Sequence, residues 1–251
     1  RGAALMGKTK FASASIDEHG KAKGGKAGDQ TGKEVKIQDY YINKKGWRVF
    51  RPKSAQDAEK IAYNAEAAAQ NNNIGYDQGQ RQTLYNAAEK VGFDCAKVTT
   101  PCETDCSALV RVCLAYAGIN VPSNFRTYNE PAYLLKTGVF EELKGDKYTK
   151  SGDYLRRGDI LVTPTQGHTV VVIRGGDGAD NPDTTYHEHV EVTAKSVYVR
   201  TAPNTSGKML GVVYKGDKLP YQGISDSVTG WHLVIFENQN GWITPKYTKL
   251  I

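Results

Sequence analysis

The chain has 251 residues, with 33 Lys and Arg against 27 Asp and Glu and a formal net charge of +6. That length suits one large domain or two smaller ones with separate cores. No apolar run is long enough to span a bilayer, and no signal-peptide core is present, so membrane insertion is not expected. The positive charge fits a solubilising surface or attraction to a polyanion. Nucleic acid is not the expected partner: there is no zinc-finger spacing, no basic-aromatic ribonucleoprotein pattern and no polybasic block.

Residues 1–7 stand outside any pattern and are left out of the fold reading. Phe11 to Ile16 alternates weakly, as a strand does. Gly20 to Gly32 is rich in Gly and Lys and reads as a loop; it lacks phosphate-loop spacing, which argues against nucleotide binding. Within it, Asp29-Gln30-Thr31 admits two readings, a border of an active site or a tight turn held by local hydrogen bonds. Tyr40, Tyr41, Trp47 and Phe50, flanked by Lys44, Lys45, Arg48 and Arg51, read as rings sealing a core edge in preference to a single-strand nucleic-acid surface.

A helix follows. Ser54 and Asp57 approximate a capping box, and Ala58, Ile61, Ala62, Ala65, Ala68 and Ala69 give a narrow stripe suited to close packing. Asn71 to Asn73 ends it. A second helix is predicted from caps at Asp77 and Gln80 and an apolar face of Leu84, Ala87, Ala88 and Val91, closed by Gly92. Tyr76 stands at its entrance, either as a half-buried ring or as the lining of a groove.

Pro101 to Gly118 reads as one helix with Cys106 in its first turn. Thr104 or Asp105 caps the start, and Gly118 supplies the left-handed stop. Leu109, Val112, Cys113 and Tyr116 make the buried stripe. At the helix's positive end, free N–H groups and the macrodipole favour a thiolate, so Cys106 is the candidate nucleophile. The four cysteines follow C-x6-C-x3-C-x6-C without a close C-x2-C pair, which argues against structural zinc. No metal or other cofactor is called for. Cys113 reads as a core residue, and a Cys95–Cys102 disulfide is left open.

Beyond Gly118 a short helix is expected near Pro131 to Lys136, ended by Gly138, and Phe140 to Lys150 reads as a polar loop. Arg157-Gly158-Asp159 then opens a strand to Thr163, and Gly167-His168 opens the β-branched run Thr169 to Ile173, so an antiparallel hairpin is predicted. His168 is the candidate base. His19, His187, His189 and His232 fall in polar, linker or C-terminal stretches. The group that would orient the imidazole is not assigned: Asp177 and Asp180 are candidates, as is a backbone carbonyl or an N-terminal residue.

Residues 175–188 are rich in Gly, Asp, Asn, Pro and Thr and mark a linker. Short strands with close turns follow, at Val190 to Thr193, Ser196 to Pro203, Lys208 to Gly216, Trp231 to Phe236 and from Gly241, which suggests a small barrel. Tyr198, Tyr221, Trp231, Phe236 and Trp242 divide between core and an exposed groove.

In this order, Asp105-Cys106-Ser107, Arg157-Gly158-Asp159 and Gly167-His168 resemble the NlpC/P60 cell-wall peptidases and the related CHAP amidases. Residues 24–35 resemble the opening of phage lysins of this group, and residues 73–81 a tyrosine-containing segment ahead of the cysteine. Val199-Arg200-x-x-Pro203, Lys215-Gly216-Asp217 and Gly241-Trp242-Ile243 resemble a bacterial SH3b wall-binding module. The resemblance implies an α+β chain: a papain-like NlpC/P60 domain over residues 8–174, helices packed on an antiparallel sheet, a linker at 175–188, and an all-β SH3b barrel over 189–251. It implies an endolysin-type peptidoglycan hydrolase that cuts a stem-peptide amide through Cys106 and His168, an endopeptidase or an N-acetylmuramoyl-L-alanine amidase. Tyr76, Asp29 and Gln30 would touch substrate, and anionic wall polymers would attract the positive charge. Such an enzyme acts at the bacterial wall, secreted or phage-released, and its activity is expected to survive EDTA but not iodoacetamide. Two rivals remain, an inactive wall-binding protein and a transglutaminase-like acyltransferase of the same fold.

Overall fold

The computed structural model describes residues 9–176, 178, 189–226 and 228–251. These form two compact units, one over residues 9–178 and one over 189–251. Asp177, Asp180 and most of the predicted linker lie outside the described residues.

The first unit is built on a six-stranded sheet. Its strands are β1 (Lys10–Ala14), β2 (Val35–Asp39), β3 (Arg48–Pro52), β6 (Phe140–Leu143), β7 (Ile160–Val162) and β8 (Thr169–Arg174), in the order β2-β1-β8-β7-β3-β6. Every neighbouring pair is antiparallel. A separate parallel ribbon joins β4 (Ile74–Tyr76) to β5 (Cys102–Thr104). The helices are α1 (Ala55–Gln70), α2 (Thr83–Glu89), α3 (Cys106–Tyr116), α4 (Glu130–Lys136) and the single turn α5 (Asp146–Thr149).

The four central strands β1, β8, β7 and β3 are buried on both faces. Phe11, Val49, Leu161, Val170 and Val172 form one core with Trp47 and Leu155. On β1 and β8, α1 and α3 pack against the sheet. Thr169 to Ile173 are all buried, as a continuous β-branched run requires when both faces of its strand are covered. Each such side chain contributes about 1.5–3 kcal/mol on burial. α1 starts where Ser54 accepts from Asp57 N at 3.3 Å, a cap worth about 1 kcal/mol.

Arg157-Gly158-Asp159 is an architectural motif. Gly158 has φ +92, and a Cβ there would lie 2.5 Å from the Ala58 backbone, so only glycine lets this turn press against α1. Asp159 is fully buried and clamped by Arg51, at 2.8 Å from Nε and 2.7 Å from Nη2. Arg157 reaches Glu59 and Glu66 on α1.

Several expectations are corrected. Asp77 and Gln80 do not cap α2; its N-cap is Gln82, with no side-chain bond, and a turn over 77–80 precedes it. Asp77 instead accepts from Gly79 N and Gly24 N. Residues 140–149 are not a plain loop but β6 and α5. β6 is an edge strand whose exposed charges hid it, and Arg48 on β3 binds Glu142 through two nitrogens at 2.8 and 3.0 Å. The helix of Cys106 begins only after the strand Cys102–Thr104. All four cysteines are buried with free thiols, Cys95 and Cys102 included.

The second unit is all-β. Strands β9 (His189–Val192), β10 (Ser196–Arg200), β11 (Met209–Tyr214), β12 (Lys218–Ser225), β13 (His232–Phe236), β14 (Gln239–Ile243) and β15 (Thr248–Leu250) form one array, ordered β11-β10-β14-β13-β12-β9-β15. Val190, Val192, Val199, Val234 and Ile243 centre its core. β12 and β15 were not expected; Pro220 and Gly223 interrupt the alternation of the first. Among the aromatic residues, Trp231 is buried and Tyr198 exposed, while Tyr221, Phe236 and Trp242 are half-buried.

Candidate functional site

The first turn of α3 is fixed by charge. Asp105 is the N-cap, and its Oδ1 accepts from Ala108 N at 2.7 Å and from Ser107 Oγ at 3.1 Å. A buried carboxylate in that role needs a cation. Arg81 supplies it: Nε lies 2.5 Å from Asp105 Oδ2, and Nη2 donates to Asp105 Oδ1, Ser107 Oγ and the Phe125 carbonyl. Arg81 was missed in the sequence, although a buried capping aspartate called for a partner.

Cys106 is the first helical residue and is 9 % exposed. The N–H groups of Ser107 and Thr169 both act on its sulfur and favour the thiolate. Thr169 immediately follows His168 in the chain, so the helix-heading thiol meets the start of β8. Burial nevertheless dominates and, with the charges of Asp105 and Glu130, pushes the thiol up to about 12. Burial, aided by Lys36, takes His168 down to about 4. Burial thus favours the neutral form of each, thiol and imidazole; the helix terminus acts in the expected direction but is outweighed.

Aromatic groups border these two residues. The Trp47 ring lies 6.4 Å from the His168 ring, centroid to centroid. Trp47 Nε1 donates to the Tyr41 carbonyl at 2.8 Å. Tyr41 is shifted upward by burial and by the nearby Cys106. Trp47 and Tyr41 therefore do seal a core edge, and that edge adjoins the thiol. Tyr76 is 3 % exposed and accepts from Gln78 Nε2. Burial pushes its phenol up to about 12, with Cys106 and Asp105 adding to the rise.

Glu130, at the start of α4, is the other residue the sequence reading passed over. It is wholly buried, and Oε1 lies 2.8 Å from Thr169 Oγ1. Burial pushes its carboxyl up to about 8.

Asp29 and Gln30 are turned into their own loop. The Asp29 carboxylate accepts backbone N–H groups from Thr31, Gly32, Lys33, Glu34 and Val35. Gln30 Nε2 donates to the carbonyls of Ala27 and Gly28. Their link to the thiol runs through Glu34, whose carboxylate accepts from Gln30 N and from Tyr76 N. Gly75 permits this docking, since a Cβ there would lie 2.3 Å from the Gly28 carbonyl oxygen. A cleft of about 320 Å³ opens elsewhere, lined by Thr83, Lys90, Lys97, Thr100, Pro101 and Cys102, and includes neither Cys106 nor His168. In the second unit, His232 Nδ1 lies 2.7 Å from Ser225 Oγ, a structural contact. His187 is outside the described residues.

An antiparallel sheet with a cysteine-headed helix on it, in a chain that also carries an all-β unit, is a two-domain design. Residues 11–179 match the endolysin-like domain family, and the chain belongs to that family. Residues 195–249 match the bacterial SH3 domain family. No curated protein and no solved structure matches the chain. The two family matches support a phage-endolysin-type architecture directed at peptidoglycan, acting at the cell wall through a wall-binding SH3 domain.

Proposed function

We propose that the first unit is a papain-like cysteine peptidase or amidase of the NlpC/P60 and CHAP type, cutting an amide of the peptidoglycan stem peptide. Cys106 is the nucleophile and His168 the base. The observation that carries this reading is that the thiol heading α3 meets the backbone N–H of Thr169, the residue next to His168. Order of motifs, helix terminus and strand start agree with it.

The chemistry follows from a neutral pair. As the sulfur attacks the carbonyl carbon, the imidazole takes the thiol proton, and a C–S bond forms. Backbone N–H groups at the α3 terminus stabilise the oxyanion. The imidazolium then protonates the leaving amine as the C–N bond breaks. Water, deprotonated by the imidazole, opens the thioester to a carboxylate and restores the thiol. Tyr76, Tyr41 and Trp47 bound the space beside the sulfur. The second unit holds the enzyme on its polymeric substrate.

The test is clearance of Gram-positive sacculi by wild type and by Cys106→Ala. Wild type clears the suspension and the variant does not; equal clearance by the variant would remove the proposal. Mass spectrometry of the released muropeptides identifies the new free amine and hence the bond. Incorporation of an added amine without clearance would instead favour the acyltransferase reading.

A further inference from the structure

We propose that Arg126 is a specificity-determining residue that binds a free carboxylate of the stem peptide close to the scissile amide. The inference rests on the cysteine-peptidase reading of Cys106 and His168 and names the kind of substrate that site prefers.

The turn over residues 123–129 bridges the two halves of the candidate site. On the side of the thiol, Arg81 Nη1 donates to the Ser123 carbonyl at 3.3 Å and Nη2 to the Phe125 carbonyl at 2.8 Å. The same guanidinium holds Asp105, the residue before Cys106. On the side of the imidazole, Gly167, the residue before His168, donates its N–H to Thr127 Oγ1 at 3.1 Å. Arg126 lies between these two anchors.

Its backbone is fixed. Arg126 N donates to Asn129 Oδ1 at 2.8 Å. The Arg126 carbonyl accepts from Asn129 N at 3.0 Å and from Glu130 N at 2.8 Å, at the start of α4. Phe125, the preceding residue, is wholly buried. The side chain is held far less closely. Its Nη1 stands 4.0 Å from Asp105 Oδ2, beyond hydrogen-bond length, and the side chain is 47 % exposed.

The balance of charge says what such a group is for. Asp105 already has its counter-charge in Arg81, which holds both carboxylate oxygens. Arg126 is a second guanidinium beside one carboxylate, surplus to neutralising the helix start. Other cations stand near the imidazole: Lys45 Nζ donates to the Gln166 carbonyl, two residues before His168, and Lys36 acts on the His168 ring. A planar fork of donors on a fixed backbone, open to solvent, suits bidentate capture of a carboxylate. An extended substrate advances about 3.3–3.6 Å per residue. A guanidinium this close to the residue before Cys106 therefore meets the substrate within a few residues of the reacting carbonyl. Stem peptides are short and carry free carboxylates, so one falls within that reach.

The experiment measures release of new amines from two substrates: sacculi as isolated, and sacculi whose carboxylates have been converted to carboxamides with carbodiimide and ammonia. Full-length wild type and Arg126→Gln are compared. The wild-type KM should be about ten- to hundredfold lower on the untreated substrate, with kcat little changed. Arg126→Gln should treat both substrates alike, near the wild-type rate on amidated sacculi. The wall-binding unit is common to both enzymes, so the difference between them reads residue 126. The variant's Tm should match wild type, because Arg81 still pairs Asp105. Arg126→Lys keeps the charge but not the fork and should restore part of the preference. Equal wild-type KM on the two substrates, or an equal loss on both in Arg126→Gln, would overturn the assignment and leave the peptidase reading standing. No amine release from either substrate by wild type would remove both.

Discussion

Thr169 Oγ1 stands 2.8 Å from Glu130 Oε1 and 2.9 Å from the Leu161 carbonyl oxygen, and a hydroxyl has only one proton to give. The carbonyl can only accept. Both contacts are made as hydrogen bonds when Thr169 donates to Leu161 and Glu130 donates to Thr169, which requires a neutral Glu130 carboxyl. The direction of its shift, from 4.5 up to about 8 through burial, agrees. A neutral acid thus fixes the side chain of the residue whose N–H meets the Cys106 sulfur.

Glu130 should make the fold less stable as pH rises. Its folded value lies above the unfolded one, so between about 4.5 and about 8 the unfolded chain releases a proton that the folded chain retains. The stability associated with that proton is full below 4.5 and is lost as pH climbs through 8. Glu130→Gln cannot ionise and keeps a donor for Thr169. Its stability should gain on wild type between pH 5 and pH 8 by an amount on the order of 2 kcal/mol, read as a rise in relative Tm. A Tm difference that is flat across this range would show that Glu130 is not protonated.

The reactivity of Cys106 should report a thiol and not a preformed ion pair. With the thiol at about 12 and the imidazole at about 4, alkylation of the free enzyme by iodoacetamide should rise about tenfold per pH unit from pH 7 to pH 10. A rate already level from pH 5 upward would mean a resting thiolate–imidazolium pair. Peptide mass spectrometry gives the measurement by separating label on Cys106 from label on Cys95, Cys102 and Cys113, which are likewise buried with their thiols shifted upward.

Arg81→Met should be strongly destabilising. It leaves Asp105 buried beside the helix start without its bidentate partner, at a cost of about 3–5 kcal/mol. Asp105→Asn in the same background should cost less than the two single changes summed, since the groups act as a pair. Urea unfolding of the three variants measures the coupling, and additive losses would deny it.

Gly75→Ala tests the docking of the 28–35 loop on β4. The added methyl would meet the Gly28 carbonyl at 2.3 Å for oxygen and 2.5 Å for carbon, and backbone has little room to yield. Overpacking of this kind costs about 1–3 kcal/mol, and displacement of the loop should slow clearance of sacculi through Tyr76. Gly145→Ala, whose Cβ would make only ordinary contacts, is the control. Equal Tm for the two variants would mean the loop is not seated as described.

The helix and strand of the candidate pair were legible because their signals are local. Asp105 before Cys106 is a cap, Gly118 is a stop with φ +78, and five consecutive residues of β8 are β-branched. What escaped was carried by distant partners. Arg81 reaches a residue 24 positions away and Glu130 one 39 positions away, and no periodicity encodes such a meeting. An Asp before a helical pattern resembles a cap, but Asp77 is held by a local turn bond from Gly79 N and a distant one from Gly24 N. β6 and β12 were hidden by charge, proline and glycine on strands whose pairing is set by their neighbours. The Arg-Gly-Asp motif was visible, but its purpose became clear only when Gly158 met α1 and Asp159 met Arg51.

None of the four sulfurs is bonded to another. The fold therefore owes nothing to an oxidising compartment, and millimolar dithiothreitol should leave its melting curve where it was. With Cys106 as the proposed nucleophile, lytic activity lost on storage and regained with a fresh thiol would point to reversible oxidation of that side chain with the scaffold intact.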